Sequence, residues 1–212
     1  MYKTYATANS AFLDLFKHIM QKGVAVKNTK AINNVSFTIR FPENYNSFTS
    51  KRKFSIPYAE AEYQWYLTGD RSVEDIGKRA PLWKTMADAD GKVWSNYGFH
   101  WKQNDQLKRV VSMLVQDKYT RRAVISHYDY NMMHEYSQDT PCNMVLNFQY
   151  YDGFLNMTVF ARSMDLVFGF CNDQYCFSRL LIDTADKLGF IVGEITFMVS
   201  NLHIYEKHFD LI

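Results

Sequence analysis

An α+β fold, with helices packed on a mostly antiparallel mixed sheet, is predicted for this 212-residue sequence by three observations. Helix-period and strand-period segments do not alternate regularly: helical patterns dominate the first half and strand patterns most of the second. Asp152-Gly153 separates two runs rich in β-branched and aromatic residues, which is the signature of a hairpin. Apolar residues make up 47% of the chain, enough for one substantial core, so a single domain over residues 1–212 is expected and extensive disorder is not.

The first helix is expected from Asn9 to Gln21, with Phe12, Phe16, Ile19 and Met20 on one stripe and Gly23 as its stop. Val35–Phe41 reads as a strand, followed by a polar loop from Glu43 to Lys53. A second helix starts behind Ser55, with Pro57 in its first turn, and ends at Gly69-Asp70. Residues 71–101 read as irregular, and a third helix covers Asp105 to Gln116. Strands follow at Ala123–Tyr128, Met144–Tyr151 and Leu155–Ala161. Between Asp173 and Lys187 the helical period returns, with Phe177, Leu180, Leu181, Ala185 and Leu188 on one face and Gly189 at the end. Ile195–Val199 is a final strand.

Composition narrows the function. A net charge of +2 argues against a dedicated nucleic-acid binder, so any phosphate recognition is local. Three cysteines, Cys142, Cys171 and Cys176, form no CxxC pair, which favours reduced thiols in a cytoplasmic protein over a disulfide framework. No apolar run reaches the ~20 residues of a membrane helix, and no signal-peptide pattern opens the chain. His203 and His208 make a poor metal pair without acidic or thiol neighbours, so no metal site is expected.

Several segments fall at strand ends, where sites are assembled. Pro141-Cys142-Asn143 enters a strand, Arg162-Ser163-Met164-Asp165 leaves one, Gly169 to Asp173 leads into the last helix, and His203-Ile204-Tyr205 follows the last strand. A lone cysteine is usually a small buried hydrophobe, and Cys171 and Cys176 keep that reading. Cys142 differs because Arg121, Arg122 and Arg162 could bring positive charge to it and favour the nucleophilic thiolate. Tandem arginines are usually solvated surface; the alternative is a bidentate clamp on a phosphate. Glu62 sits beside Trp65 and Tyr66, and burial there would raise its pKa and let it move protons.

Taken together these segments resemble the thymidylate synthase family, and within it the deoxycytidylate hydroxymethylases. The landmarks are Glu62 with Trp65 and Gly69-Asp70, Trp83, Tyr97-Gly98, Arg121-Arg122, Pro141-Cys142, Arg162-Ser163 with Asp165, Gly169, Asn172-Asp173 and His203-Ile204-Tyr205. They run in order from Glu62 to His208, roughly two-thirds of the chain. The resemblance implies the thymidylate synthase fold and 5,10-methylenetetrahydrofolate as cofactor. It implies a pyrimidine nucleoside monophosphate substrate and a homodimer.

By that resemblance Cys142 adds to C6 of the pyrimidine. Arg162 and Ser163 hold the phosphate, with Arg121 and Arg122 contributed across the dimer interface. His203 and Tyr205 hold the sugar 3′-hydroxyl, and Asn172 belongs to the substrate site. Glu62 organises proton transfer, Trp83 and Tyr97 line the nucleotide and folate cavity, and Asp165 and Gly169 belong to the folate side. Lys27 is preferred to Lys30 as a further phosphate contact.

Position 173 carries the base. Uracil-using members have asparagine there, whereas Asp173 can serve the opposite donor–acceptor pattern of cytosine; its blander reading is a helix N-cap. Asn143 and Ala161 depart from the histidine and glutamine common in synthases. The chain also ends four residues after His208, where synthases continue into a tail over the folate. These departures favour hydroxymethylation of dCMP, in a nucleotide-modifying virus and hence a host cytoplasm. The rival readings are a C5-methyltransferase on dCMP or dUMP, a CMP hydroxymethylase, and a nucleotide-binding module without turnover.

Overall fold

The computed structural model describes residues 2–44, 52–129 and 139–212; most of the polar loop expected at Glu43–Lys53 lies outside them. Strand β1 (Tyr2–Tyr5) leads into α1 (Ala8–Lys22). Thr7 and Ser10 cap that helix reciprocally, and Phe12, Leu15, Phe16 and Ile19 form its buried stripe. Each such fully buried side chain contributes roughly 1.5–3 kcal/mol. The hairpin β2 (Val24–Val26) and β3 (Thr29–Ile39) follows.

Helix α2 (Ile56–Thr68) starts as the sequence predicts: the Ser55 side chain accepts from Tyr58 N–H, and Pro57 occupies the first turn. It stops at Gly69, which is left-handed at φ 66°. Residues 71–101 are not irregular throughout. They hold α3 (Ile76–Arg79), α4 (Leu82–Met86) and the start of α5 (Tyr97–Lys102). Helices this short have no period to read, and tertiary packing makes them. At Gly98 a Cβ would lie 1.5 Å from the Tyr66 carbonyl oxygen, so α5 meets the end of α2 backbone to backbone.

After α6 (Gln106–Gln116) come β4 (Val124–Ser126), β5 (Asn143–Tyr151), β6 (Phe154–Ala161) and β7 (Met164–Asp165), then α7 (Gly169–Leu188) and β8 (Ile191–Tyr205). The hairpin turn at Asp152-Gly153 joins β5 to β6 in register Tyr151↔Phe154. The sheet order is β1-β3-β8-β6-β5-β4, with β2 on β3 and β7 on β8. The sheet is mixed: β3, β5 and their hairpin partners pair antiparallel, while β6 and β7 run parallel to β8.

Strand β8 is three times longer than the Ile195–Val199 segment expected, and it contains His203 and Tyr205 instead of ending before them. Helix α7 likewise begins four residues before Asp173, so Asp173 is not its N-cap. It lies on the inner face of α7 with Phe170 and Phe177, at helical spacing. The Phe37 and Phe197 rings stack at 5.3 Å beneath Phe170. The helices cover one face of the sheet. On the other, Val124 and Met198 are exposed, and Val145 and Phe160 are half-buried.

Candidate active site

Cys142 stands immediately before β5, half-buried. Arg162, at the end of the neighbouring β6, pins it. The Arg162 backbone N–H donates to Cys142 O at 3.0 Å, Nε donates to Pro141 O at 3.1 Å, and Nη2 donates to Thr140 O at 2.8 Å. Nη2 also lies 3.8 Å from the sulfur. The thiol is nevertheless pushed up to about 11: burial outweighs Arg162, and Asp173, Asp139 and Asp165 add to the rise. The expected arginine-rich surroundings are thus corrected within the chain. Arg121 and Arg122 are exposed and line a surface hollow of about 400 Å³ with Asp117, Tyr119 and Thr120, where none of the thiol's neighbours lies.

Asp173 reaches the same place from α7. It is 8% exposed, and its Oδ2 accepts from Asn143 Nδ2 at 2.8 Å. Burial pushes its carboxyl up to about 8, against the pull of Asn143 and with a further push from Glu62 and Asp165. Asn143 is fully buried and also donates through Nδ2 to Tyr97 Oη at 2.8 Å. Behind it, the backbone oxygen of Asn143 accepts from His127 Nδ1 at 2.7 Å, and His127 Nε2 accepts from Trp101 Nε1 at 3.0 Å. The two bonds fix one neutral tautomer. Burial holds His127 down at about 3.

Glu62, on the inner face of α2, is 3% exposed. Its Oε1 accepts from Tyr66 Oη at 2.8 Å, while Oε2 is buried without a hydrogen-bond partner. Burial raises its pKa, and the hydroxyls of Tyr66 and Tyr58 pull it down. Trp83 Nε1 donates to Tyr58 Oη at 2.9 Å, which brings the indole beside this carboxyl. The Tyr66 and Tyr97 rings meet at 5.4 Å and join the Glu62 group to the Asn143–Asp173 pair.

The remaining residues separate into those at the thiol and those apart from it. Asp165 pairs in register with His203, and its carboxylate accepts from Val167 N at 2.9 Å and Phe168 N at 3.3 Å, closing the turn into α7. These bonds shape the turn ahead of the helix, whose N-cap position is Phe168. Gly169 opens α7, where a Cβ would meet Asp165 at an ordinary 3.6 Å, so packing does not demand glycine there. Ser163 lies between β6 and β7 and Asn172 one residue before Asp173, both half-buried. His203 and Tyr205 share a face of β8, their rings 5.1 Å apart; Nδ1 of His203 bonds Asn201 Oδ1 at 3.0 Å, and burial lowers its pKa. Lys27 is exposed at the β2–β3 hairpin tip, which Asn28 ties to the end of β8 through Glu206 N at 2.9 Å. Lys30 Nζ donates to Met20 O at 2.7 Å.

The thymidylate synthase family model matches residues 10–212. The chain belongs to this family. Its members are enzymes that transfer a one-carbon unit to a pyrimidine. Among curated proteins the chain is similar to the deoxycytidylate 5-hydroxymethyltransferases of Enterobacteria phages T4, T2 and T6. Each is 29% identical over 170 residues, covering 73% of this chain and 69% of the relative.

The residues present fit the family's folate. A buried carboxylate oxygen without a protein partner, beside the rings of Tyr58 and Trp83, suits a polar, ring-bearing ligand. Tyr97 is a partial exception. Its hydroxyl is bonded to Asn143, so it serves the Asp173 side. Among the described residues no group of three acidic, histidine or cysteine side chains could hold a metal, and no helix is long and apolar enough to cross a membrane. Sequence reasoning missed Tyr58, Trp101, His127 and Asp139. Asp139 accepts from Ser95 N at 2.7 Å and Ser95 Oγ at 2.6 Å two residues before Pro141. A lone histidine in a strand run, or a lone aspartate in a polar loop, gives no signal of such a contact.

Proposed function

We propose that the protein hydroxymethylates C5 of dCMP, consuming 5,10-methylenetetrahydrofolate and water and yielding 5-hydroxymethyl-dCMP and tetrahydrofolate. The observation that carries this reading is the buried carboxyl of Asp173, held by the residue next to the thiol. Pushed up to about 8, it keeps its proton at neutral pH. A neutral carboxyl donates to N3 of cytosine with one oxygen and accepts from the 4-amino group with the other; uracil presents the reverse at both atoms. The similar phage proteins, named for deoxycytidylate, point to the same base.

In this reading the Cys142 thiol gives up its proton to water as Sγ bonds to C6, and the displaced electron pair makes C5 nucleophilic while Asp173 passes its proton toward N3. Arg162, 3.8 Å from the sulfur, offsets the charge of the attacking form. It keeps Nη1 for the phosphate, with Ser163 beside it. His203 and Tyr205 hold the sugar hydroxyl, Asn172 lines the substrate site, and Lys27 approaches from the hairpin. Glu62, with its partnerless Oε2, holds and relays a proton through water. Methylenetetrahydrofolate, when bound, supplies a one-carbon unit at the oxidation level of formaldehyde. Trp83, Asp165 and Gly169 form its side of the site, while Tyr97 stands on the nucleotide side, bonded to Asn143. A second copy, covering the open sheet face with Met198 and Val124, brings Arg121 and Arg122 to the phosphate, which accounts for their distance from the thiol of their own chain.

Tritium release from [5-³H]dCMP with methylenetetrahydrofolate, followed by mass spectrometry of the nucleotide and the folate, tests the proposal. The expected products are 5-hydroxymethyl-dCMP and tetrahydrofolate, and Cys142→Ser should reduce release at least about 10³-fold. Stoichiometric dihydrofolate would show methylation instead, and turnover confined to dUMP or CMP would reassign the substrate. Tight nucleotide binding without release would leave a binding module.

A further inference from the structure

Asn143 is fully buried, and both hydrogens of its amide are engaged, one by Asp173 Oδ2 and one by Tyr97 Oη, each at 2.8 Å. Its Oδ1 has no hydrogen-bond partner. A buried acceptor left unpaired is uncommon in a folded core and calls for a reason. Amide geometry places it within about 5 Å of Asp173 Oδ2. The donor from Asn143 also makes Oδ2 the accepting oxygen of Asp173, so the proton of the neutral carboxyl resides on Oδ1.

Two acceptors therefore stand side by side: the remaining lone pair of Asp173 Oδ2 and the unpaired Asn143 Oδ1. Resting on the cytosine reading above, we propose that Asn143 is a specificity-determining residue for the base, its Oδ1 accepting one hydrogen of the 4-amino group while Asp173 Oδ2 accepts the other. Both amino hydrogens are then used, and Asp173 Oδ1–H faces N3. A carbonyl at position 4, as in uracil, meets two acceptors and no donor, and rejection by unpaired buried groups is a strong form of discrimination. Tyr97 completes the arrangement by holding the second amide hydrogen away from the base.

The test is the ratio of kcat/KM for dCMP to that for dUMP, read by tritium release from the two 5-tritiated nucleotides. Asn143→Ala should lower the ratio at least tenfold, mainly through the KM for dCMP, with the KM for methylenetetrahydrofolate unchanged. A structural defect alone would lower turnover of both nucleotides and leave their ratio intact. A well-folded Asn143→Ala protein whose ratio stays within twofold of the parent overturns the proposal. Should that variant not fold, the unaltered protein decides: bound [4-¹⁵N]dCMP should show two hydrogen-bonded, exchange-protected amino protons, and a single protected proton overturns it equally. If dCMP neither binds nor releases tritium with the unaltered protein, the substrate reading fails instead.

Discussion

Replacing Asp173 by asparagine should change how stability depends on pH, by an amount that can be worked from its surroundings. The carboxyl is pushed from 3.8 to about 8 by burial. In the unfolded chain it ionises near pH 4, while in the native protein it keeps its proton up to about pH 8. Between these values the native state binds the extra proton, so raising the pH favours unfolding. Integrated from pH 5 to pH 8, that linkage removes about 3–4 kcal/mol of native stability. Asparagine does not titrate, so Asp173→Asn should lose this slope, while the slopes of other groups, Glu62 with the same sign among them, are common to both proteins. Urea unfolding at pH 5, 6, 7 and 8 measures it. The difference in unfolding free energy between Asp173→Asn and the parent should grow by about 3 kcal/mol from pH 5 to pH 8 in favour of the variant. A difference that stays flat would mean that Asp173 is ionised in the native site, and the argument for a neutral, donating carboxyl would fall with it.

Gly98→Ala drives a methyl group against the Tyr66 carbonyl oxygen, 1.5 Å away, where neither backbone can yield cheaply. It should destabilise by at least about 3 kcal/mol, a drop of roughly 6–12 °C in Tm by calorimetry. His127, held down at about 3 by burial, should remain neutral with its proton on Nδ1 down to pH 5, as ¹⁵N chemical shifts of the ring would show. Because its native pKa lies below the unfolded one, it costs stability as pH falls from about 6.5 toward 3. Arg122→Ala and Cys142→Ser should each be nearly inactive as pure proteins. Mixed after reversible dissociation they should recover up to about a quarter of parental activity, as one intact site per hybrid dimer predicts; no recovery would place Arg122 outside the neighbouring site.

What the sequence disclosed, and what it concealed, follows from which forces are local. Ser55, Pro57 and Gly69 mark α2 because caps and stops act within one turn. Asp173 falls four residues before Phe177, so the apolar stripe of α7 already pointed it inward. The helices within residues 71–101 and the short strands β1 and β2 left no such trace, since they have four to six residues or fewer and packing alone defines them. The thiol shows the converse problem. Three arginines could be counted in the sequence, but the depth that lifts Cys142 to about 11, and the direction in which Arg121 and Arg122 face, are properties of the folded surface. Family resemblance singled out Cys142, Glu62 and Asp173 as candidates, while the chain of Trp101, His127 and Asn143 behind them became visible through its hydrogen bonds.

Strand β8 carries Phe197 in the core and His203 and Tyr205 at its far end, all on one side of the sheet. A ribbon whose side chains alternate has parity: inserting or deleting one residue between Phe197 and His203 would turn the histidine and tyrosine to the opposite side while the phenylalanine stayed put. Exchanging one residue for another in this stretch keeps that parity, whereas a change of length by one does not. The segment between α2 and α5 carries no such arithmetic, and gaps and insertions should accumulate there instead.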